Sequence, residues 1–353
     1  MFKWLNLVLP NKFICSITME QKFNENDIRP EILRKGMEKA MNEDIKTLQG
    51  FKSDFKKVFC PACGDKNSHF IFEKYGFSFD ICKKCRTVFM NPRPTSLILK
   101  NFYENSKNYA YWNKYIFPSS ETIRRDKIIK PRVKKMNDIA KRLKIKKNCL
   151  VEIGPGYGTF ADEVIKSGAF KKVIVIEPNS SCATSCRNRG IETIEKPIEE
   201  VPKLEYSPDV IASFEVIEHL YSPKEYLKNC WRIMGDNSII VATCPNYEGF
   251  DILTLGFSSE SIDHEHLNLF NPTSISLLFK KCGFRVLECF TPGELDADIV
   301  RNKILAGQFN IKNNPFLKKV LLDRWGELGN KFQEFLKNNK FSSHMWVIAK
   351  KLK

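Results

Sequence analysis

The sequence predicts an α/β fold, in which a doubly wound, Rossmann-like sheet follows an N-terminal helical and cysteine-rich module. Three observations carry this prediction. Apolar strands alternate with helical segments from Leu150 onward, a glycine loop joins the first strand to the first helix, and two cysteine pairs precede both. Strands that alternate with helices are typical of a parallel sheet with helices on both of its faces.

The composition is that of a folded protein. Of the 353 residues, 42% are hydrophobic and 12% are aromatic, which excludes a disordered or fibrous chain. No stretch reaches the roughly 20 apolar residues that span a bilayer. The segment Met1–Met19 comes nearest to a signal peptide, but Lys3 and Pro10 interrupt it and no small-residue cleavage site follows. We therefore expect no signal peptide, and the sequence leaves open whether Met1 or Met19 is the true start.

Positive charge is concentrated in the first part of the chain. The net charge is +16, and Lys and Arg outnumber Asp and Glu by 32 to 15 in residues 1–150, whereas the counts are 25 and 26 in the remainder. Such a surplus is compatible with an anion-binding region for nucleic acid, a membrane or a phosphorylated substrate. It is also compatible with a lysine-rich solvated surface, which is the interpretation that we favour.

Two cysteine pairs predict a structural zinc site. Cys60 and Cys63 are separated from Cys82 and Cys85 by 18 residues, within the spacing of about 15 to 20 residues expected for paired zinc knuckles. Four thiolates complete the tetrahedral coordination of Zn²⁺ and leave no position open for a substrate. We therefore expect one structural zinc ion per chain. The other cysteines are scattered singly, which favours a reducing, cytoplasmic location over a disulfide scaffold.

The periodicity of apolar residues divides the chain into four regions. We predict an N-terminal helical extension over residues 1–57, a zinc ribbon over 58–95, a helical connector or cap over 96–147, and the α/β domain over 148–353. One face of a connector helix is marked by Ile129, Val133, Met136, Ile139 and Leu143. Within the α/β domain, a helical insertion is expected over about 295–341, before the closing apolar strand.

The glycine loop is followed at a suitable distance by an acidic residue. After the predicted strand Leu150–Ile153 comes a G-x-G-x-G sequence that ends at Gly158, and Glu177 ends the next strand 19 residues later. Glycines let the backbone approach a ligand where a Cβ atom would collide with it. An acid at the end of the second strand can accept hydrogen bonds from both ribose hydroxyls of a nucleoside. The pattern predicts a nucleoside cofactor site, and the alternative is a structural turn.

These motifs resemble those of class I S-adenosylmethionine-dependent methyltransferases. The resemblance rests on Glu152–Gly158 (EIGPGYG), Glu177 and Phe214–Leu220 (FEVIEHL), and it covers about residues 130–290. The zinc ribbon followed by Phe89–Pro94 (FMNPRP) resembles methyltransferases of surface-polysaccharide and deoxysugar pathways. The other segments that fit this subgroup are Phe102–Ser106 (FYENS), Glu265–Pro272 (EHLNLFNP) and the closing SSHMWVIAKK.

The resemblance implies a binding site for S-adenosylmethionine at the carboxyl edge of the sheet. It places the glycines against the methionine part of the cofactor, Glu177 on the ribose, and Phe214 and Glu215 beside the sulfonium. The implied cofactor-binding residues are Glu152, Gly154, Gly156, Gly158, Glu177, Phe214 and Glu215. Two departures stand out: Glu195–Ile198 offers no clear Asp after the third strand to contact adenine, and the span from Leu295 to Phe341 is unusually long.

Histidines near the same edge are candidates for a general base. An acceptor that is an alcohol, or a carbon beside a ketone, must lose a proton during methyl transfer. His219 follows the fourth strand, and His264 and His266 lie in a loop after the fifth. Sugar C-methyltransferases of similar build place an acid–histidine pair here, so the resemblance implies that His266 is the base and that Glu265 orients it. His219 is the second candidate, and its alternative is a structural role.

The same loop contains a histidine pair at alternate positions. If the loop is extended, His264 and His266 lie on one side of it. A His-x-His pair is also a metal-ligand pattern, but the sequence shows no third ligand, so we do not expect a second metal.

An aromatic cluster and a basic run precede the α/β domain. Tyr109, Tyr111 and Trp112 follow Arg93 along the chain and are compatible either with sugar stacking or with packing between the ribbon and the α/β domain. The basic run from Arg124 to Lys135 is compatible with a diphosphate grip, although such runs are usually one solvated helix face.

Three functions remain open. The function that we expect is a methyltransferase for a small-molecule acceptor, a sugar or sugar nucleotide of surface glycan biosynthesis. The first alternative is an RNA methyltransferase that grips RNA with its basic zinc-ribbon region, although the Asn-Pro-Pro-Tyr-like tetrad that serves base amino groups is absent. The second alternative is a non-catalytic zinc-ribbon binding protein, and the intact glycine loop argues against it. The methylated atom and the oligomeric state are not predicted.

Overall fold

A computed structural model of the protein describes residues 25–311 and 313–352. The interpretations of residues 1–19 as a signal peptide or as a misplaced start lie outside the described residues. No described helix is long and apolar enough to cross a lipid bilayer.

The strands are β1 Ser68–Lys74, β2 Phe77–Cys82, β3 Val88–Met90, β4 Cys149–Ile153, β5 Lys172–Ile176, β6 Glu192–Ile194, β7 Val210–Phe214, β8 Ile239–Pro245, β9 Asn268–Leu269, β10 Phe284–Phe290 and β11 His344–Lys351. The α-helices are α1 Glu31–Gly50, α2 Ser96–Asn105, α3 Lys107–Tyr111, α4 Phe117–Arg124, α5 Lys130–Arg142, α6 Thr159–Lys166, α7 Ser180–Asn188, α8 Pro223–Ile233, α9 Phe250–Leu255, α10 Pro272–Lys281, α11 Asp296–Leu305, α12 Pro315–Lys318 and α13 Trp325–Asn338.

The larger sheet has seven strands in the order β10-β11-β8-β7-β4-β5-β6. Neighbours from β4 to β8 are parallel, whereas β11 is antiparallel to both β8 and β10. The strand order reverses at β4, between β5 and β7, and a ligand crevice lies at such a reversal in doubly wound sheets. The predicted doubly wound fold is confirmed. The prediction of a parallel sheet holds only for β4–β8, because the chain returns through the C-terminal helices and inserts β11 between β8 and β10.

The parallel strands are buried on both faces. Every residue of β4, β7 and β8 is buried, as expected for strands that helices cover on both sides. One buried cluster contains Ile153, Leu227 and the ribbon cysteine Cys85, and the other contains Met136 of α5. The sheet core therefore positions the carboxyl ends of β4, β5 and β7 along one rigid edge.

The cysteine module is a small antiparallel sheet that takes its fourth strand from the α/β domain. Its order is β1-β2-β3-β9, and Phe89 in β3 pairs with Asn268 in β9. Arg93 lies at this junction, fully buried. Its guanidinium donates hydrogen bonds to the carbonyl oxygens of Met90, Tyr221 and Leu267 and to Oδ1 of Asn268. The ribbon is thus joined by main-chain and side-chain hydrogen bonds to the loop that carries the candidate histidines.

The connector is a continuous helical segment from Lys107 to Arg142. Two π-helical turns, 112–116 and 125–129, separate α3, α4 and α5. Each turn ends shortly before a proline, Pro118 or Pro131, and a proline lacks the N–H that would continue the α-helical hydrogen bonds. The apolar face predicted for α5 is confirmed, because Val133, Met136 and Ile139 are buried.

The long span before the closing strand forms three helices. α11, α12 and α13 lie between β10 and β11, and they enclose a separate buried cluster that includes Val300, Leu321 and Leu336.

Candidate active site and zinc centre

The glycine loop lies at the carboxyl end of β4, and its three glycines differ in what surrounds them. All have positive φ, at 68° for Gly154, 54° for Gly156 and 80° for Gly158. A Cβ at Gly154 would stand 2.6 Å from Val216, and one at Gly158 would stand 2.9 Å from Cys186. A Cβ at Gly156 would meet nothing within 4 Å. Packing therefore requires the outer two glycines, and only the middle one borders open space.

Two buried carboxylates flank this open space. Glu152 in β4 is 3% exposed, its Oε2 has no hydrogen-bond partner, and burial raises its pKa to about 8 although Arg132 opposes the shift. Glu177 is 6% exposed and accepts a hydrogen bond from the N–H of Asn179 at 2.8 Å. Burial raises the pKa of Glu177 to about 7, against the effect of its N–H donors at Asn179 and Gly156.

These residues fit S-adenosylmethionine. The cofactor has an ammonium group and two ribose hydroxyls, which are the donors that an unpaired Glu152 oxygen and a buried Glu177 carboxylate require. The open space over Gly156 is where a bound molecule can approach the backbone.

Glu215 follows β7 in a strained conformation and is held by several donors. Its φ is 55°, in the left-handed region that non-glycine residues rarely adopt. Oε1 accepts a hydrogen bond from Thr243 at 2.6 Å and lies 3.3 Å from Nδ1 of His344. Because Nε2 of His344 accepts the indole N–H of Trp346, its Nδ1 carries the proton and faces Glu215.

The carboxylate of Glu215 is held in its ionised form. Burial opposes ionisation, but His344, Thr243 and Arg132 more than offset it and lower the pKa. The side chain still exposes 41% of its surface, so we take the effect of burial to be small and that of the neighbouring groups to dominate. Phe214, which precedes it, is buried beneath the guanidinium of Arg132, 4.4 Å from the ring centroid.

His219 and His266 face each other at the same edge. Their ring centroids are 4.7 Å apart. Nδ1 of His219 lies 3.2 Å from the carbonyl oxygen of Glu265, and Nδ1 of His266 lies 2.8 Å from that of Ser261. A carbonyl oxygen only accepts, so each ring carries its proton on Nδ1 and leaves Nε2 as the basic nitrogen. Burial, with the adjacent His266, lowers the pKa of His219 to about 3, so this ring is neutral at working pH.

A buried acid stands beside the two rings. Glu218 is fully buried, and neither carboxylate oxygen has a hydrogen-bond partner. Burial, and then the neighbouring Glu215, raise its pKa well above the ordinary value. The pKa values of these two neighbouring carboxyl groups are therefore shifted in opposite directions, that of Glu215 downward and that of Glu218 upward.

The predicted pairing of Glu265 with the ring of His266 is wrong. The Glu265 carboxylate instead accepts a hydrogen bond from Nδ2 of Asn108 at 3.0 Å and lies 3.5 Å from Nε2 of His264. The acid nearest the His266 ring is Asp263, with 3.7 Å between Oδ2 and Nδ1. Burial and Asp263 raise the pKa of Glu265 to about 8.

The turn around Asp263 explains this difference. Its Oδ1 accepts the backbone N–H groups of both Glu265 and His266 at 2.8 Å, so the loop bends instead of continuing as an extended strand. His264 and His266 consequently face different surroundings: His264 is 2% exposed and buried against Phe102, whereas His266 faces His219. The expectation that they share one side is therefore wrong.

The members of the aromatic cluster and of the basic run lie in different surroundings, although they are neighbours in the sequence. Arg93 forms its hydrogen bonds at the junction of the ribbon with the α/β domain. Burial, and then Glu265 and Glu177, raise the pKa of the Tyr109 hydroxyl well above the ordinary value. In the basic run, Arg125 is paired with Glu121, Asp162 and Glu163, and Arg124 is covered by Trp112 and Phe117. The run is therefore neither one solvated face nor a free diphosphate grip.

The sequence alone did not indicate that Arg132, Thr243 and His344 contribute to the cleft. Arg132 was one member of a basic run, and its burial against Phe214 depends on how α5 packs. His344 and Thr243 come from β11 and β8, and their contact with Glu215 depends on the antiparallel insertion of β11. The available signal for His344 was its place in the C-terminal SSHMWVIAKK segment, which is one of the segments that resemble polysaccharide and deoxysugar methyltransferases.

The four ribbon cysteines converge. Cys60, Cys63, Cys82 and Cys85 are buried, and their sulfur atoms lie within 4.8 Å of one another. The Cys60–Cys85 and Cys63–Cys82 sulfur distances are 3.4 Å and 3.5 Å. A Zn–S bond of about 2.3 Å in a tetrahedron separates the sulfurs by about 3.8 Å. The donor set therefore fits a closed Zn²⁺ site without a position for a substrate.

The central part of the chain is similar to known methyltransferases. Residues 124–289 match the family model described as a methyltransferase domain. A "Probable S-adenosylmethionine-dependent methyltransferase" of Mycobacterium tuberculosis is 26% identical over 99 residues, which are 28% of this chain and 35% of the relative. A relative with a similar description from Mycolicibacterium smegmatis is 23% identical over 139 residues, 39% of this chain and 52% of the relative.

The matched segment thus spans about a third to a half of these curated relatives. Among solved structures, an S-adenosylmethionine-dependent methyltransferase from Clostridium acetobutylicum has a TM-score of 0.45 and 11% identity, covering 69% of this chain and 99% of that chain. The family match to residues 124–289 and the order of the strands support a class I S-adenosylmethionine-dependent methyltransferase domain in this part of the chain.

Proposed function

We propose that the protein transfers a methyl group from S-adenosylmethionine to a small-molecule acceptor, a sugar or sugar nucleotide of surface glycan biosynthesis. The observation that carries the proposal is the histidine pair. Two imidazoles with free Nε2 atoms stand 4.7 Å apart at the sheet edge that also bears the glycine loop. Tyr109 lies near both candidate regions, because burial and then the charges of Glu265 and Glu177 raise the pKa of its hydroxyl.

In this proposal Glu152, Glu177 and the backbone at Gly156 hold the cofactor. The bound cofactor supplies an electrophilic methyl group, which is displaced in line. The protein's task is then to position the acceptor and to exclude water. Glu215, ionised and fixed by Thr243 and His344, stands next to Phe214 where the resemblance places the sulfonium end.

The proton of the acceptor passes to a histidine. We propose His266 as the base, because its Nδ1 proton is held by the Ser261 carbonyl and its Nε2 is free to accept. Glu265 does not orient it, so any carboxylate assistance comes from Asp263. His219 remains the second candidate, with the same tautomer.

A sugar suits the composition of this cleft. Carboxylates and imidazoles accept hydrogen bonds from hydroxyl groups, and the rings of Tyr103 and Tyr109, 5.6 Å apart, offer aromatic surface for the apolar face of a sugar ring. The resemblance to deoxysugar and polysaccharide methyltransferases supports the same class of acceptor. The RNA alternative receives less support, since Arg124, Arg125 and Arg132 are engaged within the protein.

The test is transfer of labelled methyl groups from S-adenosylmethionine to a panel of nucleotide-linked deoxysugars and ketosugars, with RNA as a parallel substrate. We expect incorporation into a sugar that is lost in the His266→Asn variant. Incorporation into RNA only, with RNA binding that weakens steeply as salt rises, would favour the RNA alternative. Failure to bind the cofactor at all would favour the non-catalytic alternative.

A further inference from the structure

His264 is buried without hydrogen bonds. The residue is 2% exposed, and neither Nδ1 nor Nε2 has a hydrogen-bond partner. A neutral imidazole always carries one donor and one acceptor, and burying both without partners forfeits their interactions with water. Nε2 lies 3.5 Å from Oε1 of Glu265, too far or misaligned for a hydrogen bond. A metal ion that accepts the lone pair of one ring nitrogen would supply a partner that the described residues do not.

Two buried carboxylates lie close to the ring of His264. Asp44 of α1 is 2% exposed and Glu265 is 7% exposed. The donors that reach them are the hydroxyl of Ser106, the N–H groups of Lys107 and Asn108, and the side-chain amide of Asn108. All four donors are neutral. Buried carboxylates are stabilised by a cationic partner or a metal ion, and these four donors bring no positive charge to the pair.

The three ligand atoms lie close enough together for a metal site. One oxygen of Asp44, one oxygen of Glu265 and one nitrogen of His264 lie within 4.8 Å of one another. Zn²⁺ binds nitrogen and oxygen at about 2.0 to 2.2 Å, which separates neighbouring ligands of a tetrahedron by about 3.3 to 3.6 Å. The 3.5 Å distance between His264 Nε2 and Glu265 Oε1 falls in this range.

We propose that Asp44, His264 and Glu265 bind a second divalent cation of the Zn²⁺ class, separate from the four-cysteine site. Imidazole with carboxylates is a ligand set that suits Zn²⁺. The sequence alone offered no third ligand for the His-x-His loop. The structure supplies the remaining ligands from Glu265 and from α1, some 220 residues earlier in the chain. The ion would fasten α1 to the loop that carries His266.

The direct test is the metal content of the purified full-length protein. After equilibration with Zn²⁺ and removal of the free ion, we expect two zinc ions per chain in the wild type and one in His264→Ala. Glu265→Gln keeps the shape of the side chain and the hydrogen bond from Asn108, and it should also reduce the content to one. The matched control is His69→Ala, which removes an exposed histidine of β1 and should retain two.

A measurement on the wild type tests the proposal even if the variants misfold. X-ray absorption at the zinc edge of the wild type should show about two sulfur ligands per zinc, the average of a four-sulfur site and a nitrogen–oxygen site. A wild type with one zinc surrounded by four sulfurs overturns the proposal, as does a second zinc that both His264→Ala and Glu265→Gln retain. The inference does not depend on the proposed methyltransferase activity, because its readout is metal content and coordination.

Discussion

At the scale of single residues, the glycine loop shows how far a pattern predicts a site. The sequence predicts that the three glycines follow the first strand of the sheet and that an acid ends the second. The structure places both at the expected edge of the sheet. The sequence does not separate the glycines by role. The structure does, because the neighbours that a Cβ would meet, Val216 and Cys186, come from β7 and α7 and depend on tertiary packing.

Glu177 is expected to destabilise the cofactor-free protein at neutral and alkaline pH. Its pKa rises from 4.5 to about 7 on folding, so the folded state binds the proton more tightly. This proton binding contributes about 3 kcal/mol to the free energy of unfolding. The contribution is fully present below about pH 4.5 and is lost as the pH rises through about 7. Glu177→Gln removes this loss, and its free energy of unfolding at pH 8 should exceed that of the wild type.

Urea unfolding of the cofactor-free protein from pH 5 to pH 8 measures this effect. Glu205→Gln, which removes an exposed carboxyl group, serves as the control against which the Glu177→Gln profile is compared. An unchanged profile in Glu177→Gln would show that this carboxyl group is not the source of the pH dependence.

Substitution of His266 tests the proposed base. His266→Asn should lower turnover by about 10²- to 10⁴-fold, while cofactor affinity stays at the wild-type value. The reason is that Nε2 accepts the substrate proton and does not touch the cofactor in this proposal. Steady-state kinetics with an active acceptor and calorimetry with the cofactor measure the two quantities. If His266→Asn retains turnover and His219→Asn abolishes it, the base is His219.

At the scale of elements, the zinc ribbon and the histidine loop are one structure. β9 pairs with β3 of the ribbon, and Asn268 in β9 donates its side-chain amide to the carbonyl oxygens of Glu218 and Leu220 around His219. The sequence predicted the ribbon from its cysteine spacing. It contained no signal for the two-residue strand β9, because so short an element has no periodicity of its own.

Removal of the ribbon zinc should therefore loosen the histidine loop. Cys60→Ser combined with Cys82→Ser should lose the four-cysteine zinc and unfold the ribbon, since structural zinc contributes folding free energy on the order of 10 kcal/mol. Zinc analysis and thermal unfolding measure both effects, with Cys289→Ser as the control outside the ribbon. Wild-type thermal stability in the double variant that has lost the ribbon zinc would rule out a structural role for that ion.

At the scale of the whole molecule, the junction of ribbon and α/β domain depends on Arg93. A guanidinium offers five donors in a planar fork, and here they reach four oxygens in three segments of the chain. Lysine cannot reproduce that geometry. Arg93→Lys should therefore lower the free energy of unfolding by about 3 kcal/mol, the scale of one or two lost charged hydrogen bonds.

Chemical denaturation of Arg93→Lys, compared with Arg187→Lys on the exposed face of α7, measures this loss. Equal stability of the two variants would mean that the junction is held by other contacts.

The strand rhythm made the doubly wound sheet predictable, since β4, β5, β7 and β8 are rich in apolar residues. The antiparallel placement of β11 was not predictable from such sequences, because a buried strand has the same pattern in either direction. The turn at Asp263 was not predicted either, because it depends on hydrogen bonds that the pattern of apolar residues does not show. One side-chain oxygen that accepts two backbone N–H groups overrides the alternation that an extended loop would show.

The central claim is that the open space over Gly156 holds S-adenosylmethionine, and calorimetric titration of the cofactor tests it most directly. The matched pair is Gly156→Val and Gly168→Val, because both glycines have positive φ and a Cβ at either meets nothing within 4 Å. Backbone strain is therefore similar, and only Gly156 lies at the proposed site. We predict one cofactor per chain for the wild type and for Gly168→Val, and no detectable binding for Gly156→Val. Wild-type affinity in Gly156→Val, or no binding by the wild type, would contradict the account.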